Sequence, residues 1–215
     1  MPMHTVTHRL FVALNFDEAT KTLLSNYAAT LKPFFQECSP TWVNPDIYHL
    51  TLYFFGEVSE AGFEVIRRQF QSLEHNLQAP TLVSQGQRFL PNRKNPRTLC
   101  VSFGIEPPAL RKSIDSIVAE SRRAAATVGL LPDFRPWTPH LTLARFKYVS
   151  SRSGLTNAAT LASEKATQFE AVPHISCRPK TFDLMESELL PHGPRYTLVR
   201  AYSFASTDSI AMPPD

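Results

Sequence analysis

The four residues HLTL stand at 49–52 and again at 140–143, ninety-one positions apart. Each copy sits in a short β-prone run, IYHLTLYFFG and WTPHLTLARF, that follows Pro-containing sequence and reads as a strand. A strand turns successive side chains to opposite faces. His49, Thr51 and Tyr53 therefore share one face, and Leu50, Leu52 and Phe54 the other. In the second copy His140 and Thr142 oppose Leu141 and Leu143. The Leu pairs fit the side that faces a core under helices. Two such strands, brought together by duplication, set two imidazoles and two hydroxyls around one cleft.

The rest of the chain supplies that duplication in outline. RLFVALNF (9–16) reads as a buried strand, and 17–35 as a helix with Leu23, Leu24, Tyr27 and Leu31 on one side. Ser59 can cap a helix carrying Phe63, Ile66, Phe70, Leu73 and Leu77. TLVSQGQRFL (81–90) and RTLCVSFGI (97–105) read as strands joined by the basic turn PNRKNP. Pro107 or Pro108 then opens a helix with Leu110, Ile114, Ile117 and Val118, which Gly129 stops. SSRSGLTNAAT (150–160) reads as a surface loop, 163–169 as a short helix and HISCRPKTFDLMES as a long strand region. RYTLVRAYSF is the last strand. The chain is expected to form one α+β domain of two intertwined lobes over 1–205, with a flexible tail over 206–215.

Composition narrows the function. With 43% hydrophobic residues the chain can bury a core, and a net charge of +3 permits an anionic partner without marking a DNA-coating protein. Only seven Gly are present and none forms a phosphate-cradling loop after a strand, so side chains must hold any phosphate. Cys38, Cys100 and Cys177 are odd in number and widely spaced, which predicts reduced thiols in the cytoplasm. No run is apolar and long enough for a membrane span, no GxSxG elbow is present, and no feature calls for more than a monomer.

One HLTL is an ordinary strand fragment. Two in matching positions suit acid–base chemistry, because imidazole titrates near neutrality. A neutral His can take a proton from water while a protonated one donates to a leaving oxygen, and two Thr hydroxyls can bind the phosphate oxygens between them. No metal or other cofactor is required, and HExxH is absent.

Those motifs, with WVNPDIYHLTLYFFGEV, RPWTPHLTLARF, RLFVALNF and MESELLPHGPRYTLV in order along the chain, make it similar to the two-histidine phosphoesterase superfamily. More narrowly the chain resembles the LigT/ThpR group of RNA 2′,3′-cyclic phosphodiesterases. The resemblance implies two antiparallel sheets lining a V-shaped cleft, with helices outside. It implies metal-independent hydrolysis of RNA or nucleotide 2′,3′-cyclic phosphates to 2′-phosphomonoesters, and reversible 2′,5′ RNA ligation. It makes His49 the acid and His140 the base, with Thr51 and Thr142 on the phosphate. Arg145 matches a basic position that reaches phosphate in similar proteins. Strict alternation puts it on the face opposite His140, so a bulge or strand end is needed.

Phe11, Tyr53 and Tyr196 are candidates to stack on a base, each weighed against core packing. Trp42 and Trp137 read as packing where the lobes meet. Arg88, Arg93, Lys94 and Arg97 read as a solvated hairpin turn, or more sharply as an RNA-backbone contact. The other five His have no Thr two residues on and are given no role. The alternative to an enzyme is a non-catalytic nucleotide or RNA-end binding module on the same fold.

Overall fold

The computed structural model describes residues 6–146, 155–191 and 193–206, so nearly all of the expected tail lies outside the described residues. The first strand, β1 (Thr7–Asn15), is covered on both faces, with Leu10, Val12 and Leu14 buried one way and Phe11 and Ala13 the other. Its uninterrupted apolar run follows from that double burial. Asp17 caps α1 (Glu18–Leu31) by accepting from Thr20 N–H at 2.7 Å, and Ser59 caps α2 (Glu60–Gln69) by accepting from Gly62 N–H at 3.3 Å. Each cap satisfies a first-turn donor that the helix itself leaves unpaired. α3 (Arg111–Thr127) follows a short 3-10 turn opened by Pro108 and ends before Gly129, whose φ of +78° favours glycine. α4 (Leu155–Glu164) corrects the expectation of a loop over 150–160, of which 150–154 lie outside the described residues. Its small residues include Ala158, Ala159 and Ala162, and alanine is the strongest helix former.

The described strands form two antiparallel sheets. The first, in spatial order, is β3 (His49–Ser59), β1, β8 (Thr181–Leu190) and β9 (Gly193–Ser203). The second is β2 (Thr41–Trp42), β6 (His140–Arg145), β5 (Thr98–Glu106), β4 (Thr81–Leu90) and β7 (Ser176–Cys177). Each sheet draws on both ends of the chain. The long strand expected over 174–187 is split between them, since Ser176–Cys177 extends β4 while Thr181 opens β8. Buried Pro179 separates the two, and it has no N–H to donate to a ladder. Leu24, Ile66, Ile114 and Ile117 from the helices join Leu50, Leu52, Leu141 and Leu143 from the strands in one core cluster. The opposite faces of the sheets line a cleft. Truncating one of these leucines to alanine would cost about 2–5 kcal/mol.

Both motif strands break their alternation at the same point. Ala13 pairs with Thr51 and Val12 with Tyr53, leaving Leu52 as an extra residue. Cys100 pairs with Thr142 and Leu99 with Ala144, leaving Leu143 extra. These are β-bulges, and each puts two successive residues on the core side. Tyr53 is therefore buried in the core, against the expectation that it shares the face of His49, while Phe54 leaves the core side and is 47% exposed. β3 passes its expected end at Gly56 and runs to Ser59.

His8, which the sequence left without a role, ties α2 to the first sheet. Its Nε2 lies 2.8 Å from Glu60 and its Nδ1 2.7 Å from Glu186, with the ring 4.4 Å from that of Phe63. Carboxylates only accept, so both nitrogens carry hydrogen when both bonds form, and the imidazolium is favoured. The bond to Glu60 raises the His8 pKa above 6.5, burial opposes it, and Glu186 raises it further. A folded-state pKa above the unfolded value contributes stability that is complete below about pH 6.5 and lost as pH rises through the folded pKa. Thermal unfolding should therefore show a wider Tm gap between wild type and His8→Gln at pH 6 than at pH 9. A gap that widens with pH would contradict this account.

Candidate active site

His49 and His140 open their strands, and Thr51 and Thr142 stand two residues on, all four half-buried while the leucines between them are buried. The four line one cavity of about 430 Å³, together with Trp42, Ile47, Arg145, Leu190, Pro194 and Tyr196. The two rings are held alike. His49 Nδ1 lies 2.7 Å from the carbonyl of Ile47, and His140 Nδ1 lies 2.8 Å from the carbonyl of Thr138. A carbonyl cannot donate, so each Nδ1 carries the hydrogen and each neutral ring keeps its lone pair on Nε2. The Thr51 hydroxyl, 2.9 Å away, donates to Nε2 of neutral His49.

Burial is the main cause that lowers the His49 pKa below 6.5; the Ile47 carbonyl opposes it, and the charges of Arg145 and His140 reinforce it. The burial has visible sources. Phe11 packs at 5.1 Å between ring centroids, and Tyr196 meets the ring edge-on at 5.3 Å. Phe11 and Tyr196 also touch each other at 4.9 Å and, with Ala13 and Met185, form a small apolar cluster on the cleft face of the first sheet. Trp137 Nε1 donates to the Thr51 carbonyl at 2.7 Å, which fixes β3 beside the motif.

The bulge at Leu143 supplies the condition that Arg145 needed, since it turns Arg145 to the cavity that holds both histidines. The matching bulge at Leu52 turns Phe54 to the same cleft, where Arg9 lies over its ring at 4.8 Å. Phe54 is the site residue that period-two reasoning assigned to the wrong face. Of the three candidate stackers, Tyr196 lines the cavity, Phe11 is nearly buried behind it, and Tyr53 is in the core. Trp42 both packs on the core and lines the cavity.

The three cysteines are free thiols, and burial raises the pKa of each, to about 12 for Cys100 and about 11 for Cys177. They fill space and are poor thiolate nucleophiles. Among the described residues no group of three or more His, Cys, Asp or Glu converges as a metal site.

The model of the LigT-like phosphoesterase family matches residues 14–100 and 105–196. A Methanothermobacter thermautotrophicus protein named RNA 2′,3′-cyclic phosphodiesterase is 28% identical over 193 residues, covering 88% of this chain and 95% of that protein. A Thermotoga maritima protein of the same name is 24% identical over 91% of this chain and 95% of its own length. Among solved structures, a Thermus thermophilus protein superposes with a TM-score of 0.68 at 25% identity, over 91% of this chain and 97% of that one. Escherichia coli LigT complexed with 3′-AMP superposes with a TM-score of 0.67 at 20% identity, over 94% and 100%.

The electrostatics of His49 can be read directly. Its NMR titration in the free protein should have a midpoint below about 6.5. Arg145→Gln removes a positive charge that disfavours the imidazolium, so it should move the midpoint up. A downward or absent shift would mean that Arg145 does not act on this ring.

Proposed function

The chain belongs to the LigT-like phosphoesterase family, and from that premise we propose that it hydrolyses 2′,3′-cyclic phosphate ends of RNA or nucleotides to 2′-phosphomonoesters. The observation that carries this reading is the pair of imidazoles held in one tautomer, Nδ1 on a carbonyl, around a shared cavity with two hydroxyls and Arg145.

In this reaction His140 Nε2 takes a proton from water as the water oxygen attacks phosphorus. The P–O3′ bond breaks in line, and protonated His49 delivers its Nε2 proton to the departing O3′, leaving the phosphate on O2′. Thr51, Thr142 and Arg145 hold the non-bridging oxygens, whose charge grows in the transition state. The acid must be protonated at the start, although burial and neighbouring cations favour neutral His49 in the free protein. A bound phosphate anion offsets those cations and draws the proton onto the ring. The protein's own groups thus complete the proton inventory, one proton taken from water and one given to O3′.

The same reading has the enzyme act in the cytoplasm as a monomer, in keeping with three free thiols. Among the described residues no helix is long and apolar enough to cross a membrane.

Incubation with the four nucleoside 2′,3′-cyclic phosphates in EDTA should yield 2′-monophosphates alone. His49→Ala and His140→Ala should each lose roughly 10²–10⁴-fold in rate, the usual worth of a general acid or base. Thr51→Val or Thr142→Val should lose less, about 10- to 100-fold, as for one hydrogen bond to a charged group. Near-full turnover in both His variants would refute the two-histidine mechanism.

A further inference from the structure

The arginines divide by partner. Arg67, Arg111, Arg123, Arg135, Arg195 and Arg200 are each paired with a carboxylate. Arg68 is paired likewise, whereas among the described residues Arg88 and Arg145, like Arg9, Arg93, Arg122 and Arg178, have no such partner; of these, Arg88 and Arg145 lie on the cleft face of the second sheet. For Arg88 the strand register establishes this. Arg88 pairs with Cys100 and Cys100 with Thr142, in one row across β4, β5 and β6. The next row runs Gly86, Ser102, His140. Residues directly opposite in a ladder share a face, so Arg88 faces the same way as Thr142, two strand spacings or about 10 Å away. The other face of these strands carries Phe89, Leu99, Val101 and Phe103, all in the core.

The floor between the rows is made of small residues, Gly86 and Ser102, with Cys100 fully buried beneath it and its thiol donating to the Arg88 carbonyl at 3.2 Å. Its charge has one sign. From 81 to 105, and again from 140 to 145, the sequence holds no Asp or Glu, while Arg88, Arg93, Lys94, Arg97 and Arg145 supply cations. The turn beyond Arg88 is pinned, because Ser163 Oγ donates to the Arg93 carbonyl at 2.7 Å and Thr160 Oγ1 to the Lys94 carbonyl at 3.1 Å. The first sheet is different. There a hollow beside Arg9 is walled by Glu57, Glu186 and Glu188, and Arg195 is tied to Glu188. On the first sheet Glu57 stands opposite Arg9 on the cleft face, whereas along β4 and β6 a phosphodiester chain leaving the histidines meets no carboxylate, and Glu106 at the far end of β5 is the one Asp or Glu of the three strands.

We infer that Arg88 is a second phosphate subsite, which binds the phosphodiester on the 5′ side of the terminal nucleoside and carries single-stranded RNA across the second sheet. The inference rests on the hydrolase reading and deepens it, since it makes an RNA oligonucleotide, and not a free cyclic mononucleotide, the preferred substrate. Backbone contacts of this kind bind without reading sequence and weaken with salt.

The test compares kcat/KM for a cyclic mononucleotide with that for an RNA tetranucleotide ending in a 2′,3′-cyclic phosphate, in wild type, Arg88→Ala, Arg88→Lys and Arg195→Ala, with Tm as a folding check. Wild type should prefer the tetranucleotide by at least roughly tenfold, the order of one charge-assisted contact. Arg88→Ala should lose that preference through KM, leave mononucleotide turnover unchanged, and lower the salt slope of oligonucleotide binding by about 0.7. Arg88→Lys should restore part of it, and Arg195→Ala, which removes the same charge from the other sheet, should keep it. Equal use of both substrates by wild type, or an oligonucleotide preference that survives in Arg88→Ala, overturns the subsite and leaves the hydrolase reading standing. Turnover of neither substrate by wild type overturns both.

Discussion

A strand presents each of its faces at every second residue, so a side chain five positions after a histidine belongs on the opposite side of the sheet. The site depends on violating that rule at two places. Leu52 and Leu143 each add one residue to the core side, and the chain after them turns over. A bulge also leaves a residue without a ladder partner. Here that cost falls on leucines already seated in the core, whose burial offsets it. Catalytic geometry and core packing are thus settled by the same two residues. A substitution that restored regular pairing there would move Arg145 out of the cleft while leaving both histidines in place.

The second dependency is the anchoring of the imidazoles. Each Nδ1 is bound to a carbonyl two residues upstream, on a 3-10 turn (Pro45–Ile47) in the first copy and on an irregular segment in the second. Such backbone has carbonyls not taken by a sheet partner, and the approach segments are Pro-containing: VNPDI precedes the first motif and PWTP the second. Proline keeps these segments out of a regular ladder, which frees the carbonyl that the ring needs. The repeated HLTL was therefore only the visible part of the repeat. Both copies also share what comes before, a Pro-bearing approach, and what comes after, a bulge.

Much of this was legible in the sequence, because strands and capped helices leave periodic signals. β1, β4, β5 and the cap at Ser59 stand where pattern and chemistry put them. The motif faces were legible for the same reason. Errors came where the signal is not periodic. A bulge leaves no composition mark, so Tyr53 and Phe54 were exchanged. Small residues in LTNAATLA fit a loop or a helix equally by polarity, and buried Ala159 and Ala162 decide for helix through contacts that sequence does not display. Cys177 and Thr181 are four residues apart yet belong to different sheets, a matter of topology. His8 was passed over because its partners Glu60 and Glu186 are 52 and 178 positions away.

The two half-sites share a backbone and differ in chemistry, and the substrate gives a reason. A cyclic phosphate must be attacked from one side while O3′ leaves on the other, so two equivalent imidazoles in equivalent surroundings would have no means to divide the roles. Two residues past the bulge stands Phe54 in the first copy and Arg145 in the second. His49 is wedged between Phe11 and Tyr196 on an apolar face, whereas Ser102 and Gly86 stand in the row beside His140. Burial opposes a positive charge on His49, and an anion bound beside the ring would favour its protonation. Duplication supplied matched geometry, and divergence at a few neighbours makes it directional. That divergence extends outward. The first sheet sets aromatic rings and carboxylates around its arginine, and the second sets small residues and cations along its strands. A net charge of +3 conceals this separation, because carboxylates elsewhere balance the sum while β4 and β6 carry none.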